Sequence, residues 1–352
     1  MNKKQPLRST GNTRVIQIHP SRLCNLSCLH CYSSSSPRER GALSAALLCN
    51  ALTDMAAEGY DYLCISGGEP LLYKPLPDLL THAKNLGLKT AIASNGMLLD
   101  EQHLTVLKNV VDTIAISLDG MPESHNRMRN SSLAFARMAA NLDNLRKSGI
   151  NFGFIFTLTQ YNLNELDWVV RFALEQEAKL LQIHPLEESG FATGNLPEER
   201  PDRIESAYAY LLCETLKEQL KDQLYIQLDF ASRQALTAYP DIVYAGDTLP
   251  ETDAPLADCL DSLVIEPDGS VLPLQYGFSK HYSLGNLHSS DFKQLADDWR
   301  RERMSDFYAL CRSVHQKVTT PGNPMIFNWD ETLRTASHHK PAQHQAIAVG
   351  WQ

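Results

Sequence analysis

Three cysteines fall between positions 24 and 31, in Cys24-Asn25-Leu26-Ser27-Cys28-Leu29-His30-Cys31. No other feature restricts the fold as much, because thiols this close on one loop must be held where they can converge on metal. The chain has 8 cysteines in 352 residues, and the other five are scattered. That is not the pattern of a secreted disulfide framework, and it points to a metal site in a reducing, cytoplasmic compartment. Two metal readings follow. Three thiolates can ligate three corners of a cubane iron–sulfur cluster and leave its fourth iron open to a ligand. Alternatively, His30 completes a zinc site. His30 stands directly beside Cys31, however, and no partner pair follows at zinc-finger spacing, so the cluster reading is preferred.

The cysteine loop follows a first strand candidate, Arg14–His19, and the alternation that continues from there predicts an α/β fold. Further strand candidates are Tyr62–Ser66, Lys89–Ser94, Thr113–Leu118, Asn151–Leu158 and Leu180–Leu186. Between them lie the helical patterns Ser44–Glu58, Leu76–Leu86, Asp100–Lys108, Leu133–Lys147 and Leu163–Gln176. Ser44 and Asn162 are suited to N-caps, Gly87 and Gly149 to C-caps. Strands regularly separated by helices imply a parallel sheet with right-handed crossovers. Residues 1–13 read as a flexible N-terminus and 14–195 as the core. Residues 196–254 read as a helical connecting region with one long helix near Asp202–Lys221. Residues 255–318 read as a small α+β extension with a hairpin turned by Pro267-Asp268-Gly269 and a last helix at Asp291–Arg303. The stretch 319–352 reads as an irregular tail. A net charge of −9 argues against a nucleic-acid partner. No apolar run is long enough for a membrane span, and Met1–Thr13 has no h-region of a signal peptide.

Cys24-x3-Cys28-x2-Cys31 after a first strand resembles the signature of radical S-adenosylmethionine enzymes. The resemblance extends through ordered motifs over about residues 14–190. Ser66-Gly67-Gly68-Glu69-Pro70 is similar to the family segment that binds the methionine amino group. Glycines let the backbone approach a ligand, and the Glu69 carboxylate suits an ammonium. Ser94-Asn95-Gly96 and Ser117-Leu118-Asp119-Gly120 resemble the segments lining the ribose and carboxylate. Arg129 stands where relatives hold the methionine carboxylate, with Arg127 a near neighbour, and His30 adjoins the same site. Each segment taken singly also reads as a tight turn. All of them follow strands in order, at the strand ends where such folds place ligands. The resemblance implies a partial (β/α)6 barrel, one 4Fe-4S cluster on Cys24, Cys28 and Cys31, and bound S-adenosylmethionine. Reductive cleavage would give a 5′-deoxyadenosyl radical that takes hydrogen from a substrate.

The C-terminal part resembles the SPASM/twitch extension in damaged form. Its opening pattern of cysteine, glycine and cysteine falls on Cys259, Gly269 and Leu274, so the second cysteine is replaced. Only Cys259 and Cys311 remain there, and two thiols do not satisfy a four-iron cluster. An auxiliary cluster is not expected, and the hairpin and helix are expected to persist as a lid. Cys259 and Cys311 read as buried core residues, as do Cys49, Cys64 and Cys213. Cys311 is also a candidate hydrogen donor to a substrate radical.

The extension favours a peptide substrate, as in maturases of ribosomally made peptides. The cysteine loop begins 24 residues in, leaving no room before it for a leader-peptide-binding domain, so a separate recognition protein is an expected partner. A flavodoxin- or ferredoxin-like electron donor is another. The alternatives are radical modification of a tetrapyrrole, haem-related or other small molecule, and a non-catalytic zinc or iron–sulfur binding protein.

Overall fold

The computed structural model describes residues 13–339. The expectations for residues 1–12 and 340–352 lie outside the described residues. Strand β1 (Val15–Ile18) leads through the cysteine loop to α1 (Ala45–Ala57) and β2 (Tyr62–Ile65). Then come α2 (Leu76–Asn85), β3 (Lys89–Ser94), α3 (Glu101–Leu107), β4 (Thr113–Ser117), α4 (Pro122–Met128) and α5 (Ala134–Ser148). The core continues with β5 (Asn151–Leu158), α6 (Leu166–Glu175) and β6 (Leu180–Pro185). All of β1–β6 are parallel and neighbour one another in chain order. Strands added in one direction through right-handed crossovers put their helices on a single face, as in a barrel. The strands show it by alternation. Ile16, Ile18, Leu63, Ile65, Ile114, Ile116 and Ile183 are fully buried, whereas Gln17, Cys64, Ser117, Thr157, Gln182 and His184 on the other face are half-buried.

Local chemistry sets the helix ends. Ser44 Oγ accepts the Leu47 N–H at 3.2 Å, a cap worth about 1 kcal/mol. Gly149 ends α5 in a left-handed conformation. Asn162 does not cap a helix as its type suggests. Its amide donates to the carbonyls of Asp119 (3.1 Å) and Thr157 (2.9 Å), tying β5 to the loop that follows β4.

The remainder departs from the sequence expectation in ways that matter for the site. After α7 (Ala192–Asn195) and the capped helix α8 (Arg203–Leu220) comes β7 (Tyr225–Leu228), a seventh parallel strand against β6. The connecting region is therefore not purely helical, and it goes on through β8 (Ala231–Ser232) and α9 (Arg233–Ala238) to α10 (Leu256–Cys259). The expected hairpin is present as β9 (Ser262–Ile265) and β10 (Ser270–Pro273), followed by β11 (Gly285–Asn286). It is not a separate lid, because β9 pairs in parallel with β1 and extends the sheet to ten strands, in the order β11-β10-β9-β1-β2-β3-β4-β5-β6-β7. A buried Arg300 guanidinium on α11 (Phe292–Glu302) binds Glu58 at 2.6 and 3.2 Å, and Tyr60 Oη donates to Leu260 O at 2.7 Å. These contacts fuse the extension to the core.

Two helices lie beyond the expected last one. They are α12 (Met304–Thr319) and, after β12 (Ile326–Phe327), α13 (Trp329–Ser337), which falls in the stretch expected to be irregular. The helix α13 joins the loop after β6 to the loop after β10. Asn328 Nδ2 donates to Glu187 at 3.0 Å and Glu188 N–H to Glu331 at 3.2 Å. On its other side, Gln275 Nε2 donates to Asp330 O at 2.9 Å and Ser279 N–H to Ser337 Oγ at 3.1 Å.

Candidate active site

The cysteine loop is held by the glycine segment that follows β2. Gly68 N–H donates to Ser21 O at 3.0 Å and Glu69 N–H to Leu23 O at 2.9 Å. Gly67 sits at φ +102, a left-handed conformation that glycine adopts without strain. A Cβ on Gly68 would overlap the carbonyl oxygen of Leu23 and lie 2.6 Å from its carbon. The two glycines therefore let two backbones pack against each other, and a ligand is not what first requires them.

Cys24 and Cys28 are each 8% exposed. Burial pushes the Cys24 thiol up to about 12 and the Cys28 thiol to about 11, so metal must displace protons to bind them. Backbone N–H groups already point at the sulfurs, from Leu26 to Cys24 at 3.4 Å and from Ser35 to Cys31 at 3.3 Å. Among the described residues, no three His, Cys, Asp or Glu side chains converge as a site for a single metal ion.

Around the thiols the predicted residues fall into two groups. On one side, the buried Glu69 carboxylate accepts from Ser94 Oγ (2.9 Å), Asn95 N–H (2.9 Å) and Leu71 N–H (3.2 Å). Burial raises its pKa, against these hydrogen bonds. Ser94 therefore props Glu69 and is itself buried. Asn95 Nδ2 reaches Asn25 Oδ1 at 2.7 Å and Cys24 Sγ at 3.9 Å. On the other side, Arg129 Nη1 lies 3.8 Å from Cys28 Sγ, and its Nε is 2.6 Å from Asp119 Oδ2. That ion pair is close and buried, and it holds the Asp119 carboxyl below the usual carboxylate range against the cost of burial. His30 Nε2 is 3.9 Å from the same Asp119 oxygen, and the ring is hydrogen-bonded to the Met128 backbone. Burial holds the His30 ring down at about 4. Ser117 ends β4 in register with Ile155.

Arg127 turns away from this group. It pairs with Glu199 and covers the Tyr161 ring at 4.4 Å. His125 escaped the sequence reading. Its Nδ1 accepts the Asp119 N–H at 3.2 Å, so that nitrogen carries no proton, and burial lowers the ring to about 4. Its only sequence signal is its place one turn after Asp119-Gly120. His184 and Asp229 were also missed. They form an ion pair at the ends of β6 and β7, and Asp330 at the start of α13 faces them electrostatically, its carboxyl raised to about 7 by burial and neighbouring acids. Tyr276, from the loop after β10, stacks on His19 at 4.8 Å beside Tyr32.

Residues 18–173 match the Radical SAM superfamily. That segment of the chain is a radical SAM domain. The chain is 32% identical over 171 residues to the Fe-coproporphyrin III synthase of Methanosarcina barkeri, covering 48% of this chain and 42% of that one. The PqqA peptide cyclase of Ruegeria pomeroyi is 27% identical over 253 residues, 71% of this chain and 64% of the relative. The chain thus spans under half the length of the first of these relatives and under two thirds of the second. In fold, the chain is similar to Streptococcus suis SuiB bound to S-adenosylmethionine, with a TM-score of 0.63 and 19% identity over 86% of this chain and 68% of SuiB. Members of the superfamily use a 4Fe-4S cluster and S-adenosylmethionine. No helix among the described residues is long and apolar enough to cross a membrane.

In the extension that follows the radical SAM domain, Cys259 and Cys311 are fully buried. The Cys259 carbonyl accepts from Tyr308 Oη at 3.0 Å. Leu274, at the place of the missing cysteine, packs against the main core. Both cysteines are expected to serve packing. The Cys259→Ala/Cys311→Ala double variant should keep the parent's iron content by chemical assay and lose about 1–2 kcal/mol of stability per site to small cavities. A fall in iron would show that these thiols hold a second cluster.

Proposed function

We propose that the chain is a radical S-adenosylmethionine enzyme that abstracts hydrogen from a peptide. The observation that carries the first half is the convergence of a buried carboxylate and a buried guanidinium on the thiols: Asn95, whose N–H donates to Glu69, has Nδ2 3.9 Å from Cys24 Sγ, and Arg129 Nη1 lies 3.8 Å from Cys28 Sγ. A buried anion and a buried cation on either side of three thiols suit a ligand that carries both an ammonium and a carboxylate. Cys24, Cys28 and Cys31 would hold a 4Fe-4S cluster. Glu69 would take the methionine ammonium and Arg129 the carboxylate, with Asn95, Ser117 and Asp119 towards the nucleoside. When bound, this pair of cofactors supplies reductive cleavage of the sulfonium to methionine and a 5′-deoxyadenosyl radical. The chain's own residues orient the cofactor and exclude water.

Two observations favour a peptide. The match to the peptide cyclase, at 253 residues, is longer than the 14–195 core and so reaches beyond the shared cofactor domain. The half-buried sheet face is also polar, with Gln17, Thr157, Gln182, His184 and Gln227, and Asp229, Glu187 and Asp330 surround His184 electrostatically. A tetrapyrrole carrying several carboxylates would meet acids there, while Arg200 and Arg334 are already paired with Glu331 and Glu187. The higher identity to the coproporphyrin synthase keeps a tetrapyrrole as the second reading. Uniformly deuterated candidate peptides and Fe-coproporphyrin, each offered to the reconstituted enzyme, decide between them. Deuterium is expected in 5′-deoxyadenosine with a peptide. Deuterium transfer from the porphyrin alone would contradict the peptide reading.

A further inference from the structure

The matched domain ends at residue 173, yet the last cysteine of the thiol loop is seated by residues beyond it. Phe191 N–H, in the loop after β6, donates to Cys31 O at 2.9 Å, and the same carbonyl accepts from Ser34 N–H at 3.2 Å. Gly190 sits at φ +56 and passes very close. A Cβ there would overlap the carbonyl oxygens of Cys31 and Tyr32 and lie 2.6 Å from the Tyr32 carbonyl carbon. One turn on, Asn195 Nδ2 donates to Leu29 O at 3.3 Å, and Leu29 packs against the buried cluster of Met128, Leu186, Ala192 and Leu196. Two hydrogen bonds and an apolar contact therefore fasten the loop after β6 onto residues 29–32. That loop is held in turn from α13. Glu331 is 4% exposed, and its carboxylate accepts Glu188 N–H at 3.2 Å and pairs with Arg200. Asn328 Nδ2 donates to Glu187 at 3.0 Å, and Arg334 Nη2 is 3.5 Å from the same carboxylate. Removing a buried, paired carboxylate leaves its donors unsatisfied, so the loop it holds is released.

We propose that Glu331 is a positioning residue for Cys31, acting through residues 188–191, and that a helix outside the radical SAM domain thereby governs how firmly the thiol loop holds its ligand. The role as ligand rests on the function proposed above; the restraint on Cys31 does not. A surface loop opens locally at a lower free energy than the whole protein unfolds, and each restraint removed raises its open fraction. Hydrogen-bond partners behind a metal ligand are commonly worth about 10–100-fold in retention of the metal. Glu331 stands one step further back, with one backbone bond from its carboxylate to the loop and one from the loop to Cys31.

The first arm of the test uses the full metal-free chain, iodoacetamide and mass-spectrometric mapping of each cysteine. Alkylation of Cys31 should be at least about tenfold faster in Glu331→Ala than in the parent. Glu331→Gln keeps an acceptor for Glu188 N–H and should restore most of the protection. Ser337→Ala removes the acceptor of Ser279 N–H at the other end of the same helix and should leave Cys31 at the parent's rate. Cys213, fully buried in the core, is the internal reference. Parent-like alkylation of Cys31 in Glu331→Ala overturns the proposal. So does an equal rise at Cys213 or in Ser337→Ala, because either makes the effect a general loosening. A glutamine variant as fast as the alanine also overturns it, by taking the effect away from the Glu188 bond. The second arm uses the anaerobically reconstituted chain, in which iron loss to a chelator should quicken at least about tenfold in Glu331→Ala and recover in Glu331→Gln. Unchanged iron loss overturns the positioning role. If the parent takes up no iron, the proposed function is contradicted, and the alkylation arm still decides whether Glu331 holds Cys31.

Discussion

Changing Cys28 to alanine should lower the iron of anaerobically reconstituted protein from about four atoms per chain to near zero. Formation of 5′-deoxyadenosine should fall at least about a hundredfold with it. The expectation rests on burial and on the partners of the sulfur. Cys28 is 8% exposed, and the Arg129 guanidinium lies 3.8 Å from its sulfur. Removing the thiol takes away a third of the protein's ligands and leaves that arginine facing a small void. The deep burial that raises the Cys24 and Cys28 thiols also gives loading a pH dependence. Thiols raised to about 12 and 11 are protonated at neutral pH, so cluster assembly should be favoured as pH rises. Iron and sulfide assays with visible absorption read both effects. Full iron content in the Cys28→Ala protein would contradict the ligand assignment.

The second large effect is expected at Gly68. Its valine variant should lose the cluster itself, not merely affinity for S-adenosylmethionine. A Cβ there would press on the Leu23 carbonyl group and come within 2.9 Å of the Arg22 carbonyl carbon. Those atoms belong to the backbone that leads into Cys24, so no flexible side chain can give way. Two γ-methyls add to the overlap, and about 3 kcal/mol or more of destabilisation is expected. Thermal unfolding and iron content of Gly68→Val, compared with the parent, read this directly. A variant with normal melting and normal iron that only binds S-adenosylmethionine less well would place the glycine's role on the ligand side.

Gly68 shows what the sequence can and cannot convey. The segment Ser66–Pro70 was legible as a turn, because two glycines after a strand form a local pattern. What Gly68 touches was not legible, since Leu23 is brought to it only by the pairing of β1 with β2. The same holds for the arginines. Arg127 and Arg129 are equivalent in sequence, and Glu199, far along the chain, separates their roles by holding Arg127. The six core strands were legible because their apolar runs are bounded by helical patterns. The strand β7 was not, as Tyr225–Leu228 is four residues long with an exposed tyrosine. The parallel pairing of β9 with β1 depends on residues some 245 positions apart, and hydrophobic pattern does not specify a partner strand. Trp329–Ser337 read as tail because the Pro- and Gly-rich turn before it masks a helix that begins with Asn328 as its cap, accepting from Glu331 N–H at 3.1 Å.

His184, Asp229 and Asp330 could not be joined from sequence either. They come from β6, from the end of β7 and from α13, two of which were not anticipated as elements. The thiol loop needed no such long-range pairing, because its three cysteines lie in one short segment.

The account's central claim is that Cys24, Cys28 and Cys31 form a redox centre that cleaves S-adenosylmethionine. The most direct measurement is dithionite-driven formation of 5′-deoxyadenosine by the anaerobically reconstituted chain, with the Cys24→Ala/Cys28→Ala/Cys31→Ala variant beside it. The account predicts 5′-deoxyadenosine and methionine in equal amounts from the parent and neither from the variant. Stoichiometric zinc in the parent, with no iron-dependent absorption and no 5′-deoxyadenosine, would contradict it.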